Sequence, residues 1–225
     1  MAQHPLLALP AARLRGHGVV LSPRTEVVIE GYPRSANSFA VAAFRLAQGR
    51  AVEVAHHTHA PAHVLAAVRR GVPAVVLIRA PEDACVEFLL LRPSLSPAQA
   101  LRGWIRFYRP LLELRDRVVV GPFPEVTTDF GAVIRRVNER FGTSFAPFEA
   151  TPDNVALANT GIAAAWATRE GPGLPVIGRS PERSGPDEAR EGLVRRLRSS
   201  PLRSLRSRAT DLHASFVTPP RRPPD

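Results

Sequence analysis

The sequence predicts a three-layer α/β/α domain with a central parallel sheet. Three observations carry that prediction. Short apolar runs alternate with helical patterns through residues 26–141. The run at residues 73–78, Pro-Ala-Val-Val-Leu-Ile, is apolar on both faces, as a strand covered on two sides must be. Glycines follow the periodic segments where helices should stop, at Gly49, Gly71 and Gly142. Strands alternating with helices imply right-handed crossovers, which cover both faces of a parallel sheet.

Each element has its own signal. Residues 26–31 read as a strand ending in Gly31. Residues 36–48 carry Phe39, Val41, Phe44 and Leu46 at helical spacing. Residues 51–55 form a second strand, and residues 61–70 a helix with proline in its first turn. After the strand at 73–78, residues 82–91 are helical. Residues 96–116 open on Ser96-Pro97 and carry Leu101, Trp104, Ile105, Tyr108, Leu111 and Leu112 as one helix. A strand at 117–120 and an amphipathic helix at 127–141 follow. Residues 150–182, rich in Pro, Gly, Ala and Thr, read as a long loop with a short helix at 162–168, and residues 186–198 as a helix. The division is an N-terminal extension (1–25), the α/β domain (26–212) and a disordered tail (213–225). No internal repeat is present.

The 225 residues carry 30 basic and 20 acidic side chains, a formal net charge of +10. All 30 basic residues are arginine. A chain without lysine has no Schiff-base lysine, no Walker-A lysine and no lysine general base. Arginine can clamp an anion but is a poor proton acceptor. The charge is uneven: 20 arginines face 15 acids up to residue 182, and 10 face 5 beyond it. A basic balance suits an anionic partner. Cys85 is the only cysteine, which excludes a disulfide framework and a multi-cysteine metal site. No apolar run approaches the ~20 residues of a membrane span. The first 15 residues hold two prolines and no basic segment ahead of their leucines, so they make a poor signal peptide, and the expected location is cytoplasmic.

The most informative segment is Gly31-Tyr-Pro-Arg-Ser-Ala-Asn-Ser-Phe39, between the first strand and the first helix. Parallel α/β proteins bind anions there, because turn amides and the helix N-terminus point at one spot. The spacing fits a Walker-A loop, but Ala36 replaces its second glycine and Asn37 its lysine. The plainer reading is an ordinary turn with Ser35 or Asn37 as N-cap.

The segment resembles the 5′-phosphosulfate loop of PAPS-dependent sulfotransferases, Tyr-Pro-Lys-Ser-Gly-Thr-Thr-Trp, with Arg34 on the family lysine. The resemblance implies a P-loop NTPase-like fold and PAPS as cofactor. It implies that Arg34 contacts the transferring sulfuryl group, and that Ser35, Ala36, Asn37, Ser38 and Phe39 form the phosphate loop. Residues 75–87 are similar to the family's next strand and helix. Arg79 falls on the arginine that binds the 3′-phosphate, and Asp83 on an Asp that caps or orients the turn. The family serine falls on Glu87, whose carboxylate would repel a 3′-phosphate unless it pairs with Arg79 or turns away.

Four of seven histidines cluster as His56, His57, His59 and His63. His59 and His63 are spaced for one helical face, but no neighbouring carboxylate or cysteine completes a metal site, so no metal is expected. A solvated polar loop is another reading. His57-Thr-His59-Ala-Pro also looks like the family's Lys-Thr-His-Leu-Pro segment. That resemblance makes His59 the general base, a role imidazole suits. Glu53 and Glu30 are the carboxylates that stand out as alternatives. The stretch 178–185 resembles a reduced form of the family loop over the 3′-phosphate, with Arg183 or Arg179 making the contact; a surface loop is the other reading. The implied activity is sulfuryl transfer from PAPS to a hydroxyl or amine of a small-molecule or glycan acceptor. Alternatives are a P-loop-like kinase or nucleotide-binding protein and a non-catalytic sulfotransferase relative. The arginines of 190–208 have little aromatic interleaving, so nucleic acid is not an expected partner.

Overall fold

Every residue of β1 (Val27–Gly31) is buried, and it forms the inner core of a four-stranded sheet. The structure is a computed structural model that describes residues 18–170 and 187–218. The strands β2 (Val54–His56), β3 (Ala74–Ile78) and β4 (Val119–Pro122) run parallel to β1 in the order β2-β1-β3-β4. Register is set by pairs such as Ile29 with His56, Ile29 with Val75, and Leu77 with Gly121.

The two faces of the sheet are covered by different helices. Val27, Ile29, Val75 and Leu77 pack against α1 (Asn37–Ala47), α6 (Phe130–Phe141) and α7 (Pro152–Glu170). Val28, Val76 and Ile78 pack against α2 (Pro61–Arg69), α3 (Pro81–Leu91) and α4 (Pro97–Tyr108). The short α5 (Phe123–Thr128) follows β4. The second face also receives Leu197 of α8 (Asp187–Leu197) and Ala209 and Phe216 of α9 (Arg203–Val217). The architecture is therefore the three-layer α/β/α expected.

Several elements differ from the sequence expectation, each for a local reason. The helix expected over 96–116 starts with a capping box between Ser96 and Gln99 but ends at Tyr108. Pro110 cannot donate to the helical ladder, and the chain tightens into a 3-10 helix over Arg109–Arg117. The single helix expected over 127–141 is two, because Asp129 leaves helical geometry at φ −145° and caps α6 by accepting from the Ala132 amide. Most of the loop expected from 150 is α7, which begins behind Thr151, whose hydroxyl accepts from the Asn154 amide, and Pro152. The second strand is shifted to Val54–His56, where an antiparallel bridge with Val19 fixes it. That bridge and buried Leu21 tie residues before 26 to the domain. The tail expected from residue 213 is helical through Val217, and Phe216 is packed against Tyr108 with ring centroids 5.7 Å apart. No described helix is long and apolar enough to cross a membrane.

Candidate functional site

Connections from β1 and β3 leave toward opposite faces of the sheet, so a crevice opens at their carboxyl ends. The turn at residues 32–36 occupies that crevice. Gly31 enters it under tight packing: a Cβ there would lie 2.6 Å from the Leu77 carbonyl oxygen. Arg34 and Ala36 are both left-handed, at φ 69° and 68°. Alternation of this kind turns successive amides toward a common centre. Ala36 is the N-cap of α1 and offers no side-chain acceptor, so the first-turn amides of α1 have no partner supplied by a cap.

Neither expected cap residue caps. Asn37 Nδ2 donates back to the Tyr32 carbonyl at 3.1 Å. Ser35 is fully buried, with Oγ 3.3 Å from the Tyr108 hydroxyl. Tyr108 donates its proton to the Leu77 carbonyl at 2.7 Å, so it accepts from Ser35 and from the Tyr32 amide at 3.2 Å. Tyr108 thereby pins the turn to β3. Phe39 is also core, edge-on to Phe148 at 6.0 Å. Of the loop residues singled out, Ser35 and Phe39 thus contribute through the backbone, and Ser38 keeps a partly exposed hydroxyl.

Arg79 leaves the end of β3 and donates to the Arg34 carbonyl at 3.2 Å, bringing the two expected arginines together. Its guanidinium lies 4.0 Å from the centre of the Phe123 ring, and its buried Nε has no hydrogen-bond partner. Burial pulls the pKa of Arg79 down, while Glu87 and Asp83 oppose that fall. Asp83 makes no cap; α3 starts at Pro81 behind an uncapped Ala80. Glu87 is buried and pairs with two other guanidiniums, Arg190 NH1 at 2.5 Å and Arg34 NH2 at 3.5 Å. The carboxylate expected to repel an anion is thereby neutralised. Arg79 feels the opposing charges of Glu87 and Asp83 and the like charges of Arg34 and Arg190.

The histidine loop folds over the same crevice. Glu30 of β1 is buried and accepts from the Thr58 amide at 2.7 Å, the Thr58 hydroxyl at 2.8 Å and the His59 amide at 3.2 Å. His63 Nε2 accepts from the Leu21 amide at 2.9 Å, so its Nδ1 carries the proton given to Glu30 at 2.9 Å. Burial disfavours the Glu30 anion, but the hydrogen bonds it accepts from His63 and from the Thr58 amide outweigh that cost and hold the carboxyl at about 2. The fold thus places beside His63 a carboxylate that the linear sequence does not. His57 and His59 take left-handed φ values of 59° and 47°, a conformation that costs non-glycine residues energy and is held here by the Glu30 bonds.

His59 Nδ1 lies 2.9 Å from the Gly31 carbonyl oxygen, which cannot donate. Nδ1 therefore carries the proton and neutral His59 presents Nε2 as acceptor. His59 lines a cleft of about 480 Å³ beside the turn, with Pro33, Phe88 and Phe107. A second chain of bonds reaches the turn from behind. Arg45 donates to His56 Nε2 at 3.2 Å, so His56 Nδ1 donates to His57 Nδ1 at 2.7 Å and His57 Nε2 to Ser38 Oγ at 3.1 Å. Glu53 precedes β2, at the edge of the sheet away from the crevice, and Glu30 is spent on the loop.

The structure therefore brings Arg34, Ala36, Asn37, Ser38, Arg79 and His59 to one crevice. Arg183 and Arg179 lie outside the described residues. Sequence reading missed Arg190, Tyr108 and Arg45: Arg190 and Tyr108 reach the site from distant helices, Arg45 lies further along α1 itself, and none carries a local motif. No family model, no curated protein and no solved structure matches this chain.

Proposed function

We propose that the protein is a PAPS-dependent sulfotransferase acting on a hydroxyl or amine acceptor. The observation that carries this reading is the meeting of three things at one switch point. These are an uncapped α1 behind a turn with left-handed Arg34 and Ala36, Arg79 anchored to that turn, and a histidine with a free Nε2 beside it.

The residues fit the donor in its anionic groups. The turn and first-turn amides suit the 5′-phosphate, and the buried Arg79 Nε without a partner suits a further phosphate oxygen. PAPS supplies the sulfuryl group. Arg34 and the amides stabilise charge that builds on the bridging oxygen, and His59 Nε2 takes the proton from the acceptor. The turn is held by Tyr108 and the loop by Glu30, so little reorganisation is needed at the moment of reaction.

One observation favours a second reading, a non-catalytic relative: Arg34 pairs with Glu87 instead of facing an open site. Calorimetric titration with PAP and, separately, with ATP-Mg²⁺ tests both. PAP should bind at micromolar concentration and fail to bind Arg79→Ala. No PAP binding would overturn the proposal. His59→Ala should abolish sulfuryl turnover and leave PAP affinity nearly unchanged. PAP binding without turnover on any acceptor would favour the non-catalytic relative.

A further inference from the structure

The cleft beside His59 has a chemical character of its own. Its floor is apolar, made by Pro33, Phe88, Leu95 and Phe107. Phe88 is fixed edge-on to Tyr32, with ring centroids 5.5 Å apart. At one side stand Arg102 and Arg106, four residues apart and therefore on one face of α4. Both are exposed, and neither makes a hydrogen bond or ion pair among the described residues. Among the described residues no carboxylate lines the cleft. Most arginines near this end of the sheet are matched by acids: Arg34 and Arg190 by Glu87, and Arg198 by Glu82. Arg102 and Arg106 have no such acid among the described residues, and they face a volume of about 480 Å³, the size of a small-molecule site.

We infer that this cleft binds an amphipathic hydroxy acid, with its hydroxyl at His59 Nε2, its apolar body on Phe88 and Phe107, and its carboxylate on Arg102 and Arg106. The hydroxyl end rests on the sulfotransferase reading; the anion and apolar ends do not. The acid group would be a handle and not a reacting group. Two guanidiniums on successive helical turns can each donate to one carboxylate. Binding energy gathered there fixes the hydroxyl against the base, so an acceptor without the acid should lose turnover as well as affinity.

Gly103 supports the assignment. It lies between the two arginines, and a Cβ on it would lie 3.5 Å from the Tyr32 ring and 3.6 Å from the Tyr32 hydroxyl, ordinary contact distances. A longer side chain at 103 would fill the cleft without disturbing the core.

The test uses two probe pairs, 4-hydroxyphenylacetate with its amide and 10-hydroxydecanoate with its amide. Binding to the full chain is followed by ligand-observed NMR and calorimetry, with and without PAP. At least one acid should bind more than roughly tenfold tighter than its amide. That preference should vanish in Arg102→Ala/Arg106→Ala, a surface change that leaves PAP binding intact. Gly103→Leu should block acid and amide alike while PAP still binds. Equal binding of acid and amide, or no binding of either pair at millimolar concentration, overturns the inference. Acid-selective binding in a protein that ignores PAP would instead keep the cleft and overturn the sulfuryl-transfer reading.

Discussion

The Glu30 carboxylate accepts from His63 Nδ1 at 2.9 Å, with both side chains fully shielded from water. The same carboxylate binds the Thr58 and His59 amides. Through these bonds a residue of the central strand sets the backbone of the residue proposed as base. A histidine placed by a core strand holds its ring to one position better than a histidine on a free loop.

The depressed pKa of Glu30 makes a stability prediction. Its folded value is about 2, below its ordinary 4.5. The folded state therefore favours the anion, and the stability gained is complete above about 4.5 and lost as pH falls toward about 2. Urea unfolding measured between pH 6 and pH 2 should show the wild type weakening steeply in that lower window. Glu30→Gln should be less stable at pH 6 and should lack most of that slope. An unchanged slope in Glu30→Gln would assign the acid sensitivity elsewhere.

Replacing Glu87 separates stability from anion affinity. Glu87→Ser removes a buried carboxylate that pairs with both Arg34 and Arg190, themselves largely buried. Removing one partner of a buried pair costs about 3–5 kcal/mol, so the melting temperature should fall by several degrees or more. The same change frees positive charge toward the crevice, so PAP should bind more tightly and restore much of the lost stability. Weaker PAP binding in Glu87→Ser, with the fold intact, would show that Glu87 orders the arginines for the ligand.

Tyr108 is the test of the turn's scaffold. Its hydroxyl accepts from Ser35 and the Tyr32 amide and donates to the Leu77 carbonyl. Tyr108→Phe leaves these buried groups without a partner, at about 1–3 kcal/mol for an unsatisfied group. Denaturant unfolding should register that loss. PAP affinity should fall several-fold without any contact between Tyr108 and the ligand. Full affinity in a destabilised Tyr108→Phe would show that the turn holds its shape alone.

The fold class was legible because parallel sheets leave a strong trace. Buried strands such as Ala74–Ile78 are apolar on both faces, and Pro and Gly mark helix ends regardless of what packs on them. The turn at 31–39 and the arginine after β3 were legible for a related reason: the connection between a strand and its following helix is local in sequence. The breaks at Pro110 and Asp129 and the length of α7 were harder. There the periodicity of the apolar residues ran on, and single residues or a Thr-Pro start decided the boundary.

The sequence by itself determined the layered α/β architecture, the arginine-only chemistry of its cations and the place of the anion-facing turn. Tertiary structure decided what those arginines meet. Glu87 and Arg190 are far apart in the chain, and only the docking of α8 on α3 brings them together. The partners of Glu30, the tautomer of His59 and the cleft of Arg102 and Arg106 are likewise set by contacts across elements. Hydrogen-bond partners and burial depend on three-dimensional neighbours, which spacing along the chain does not encode.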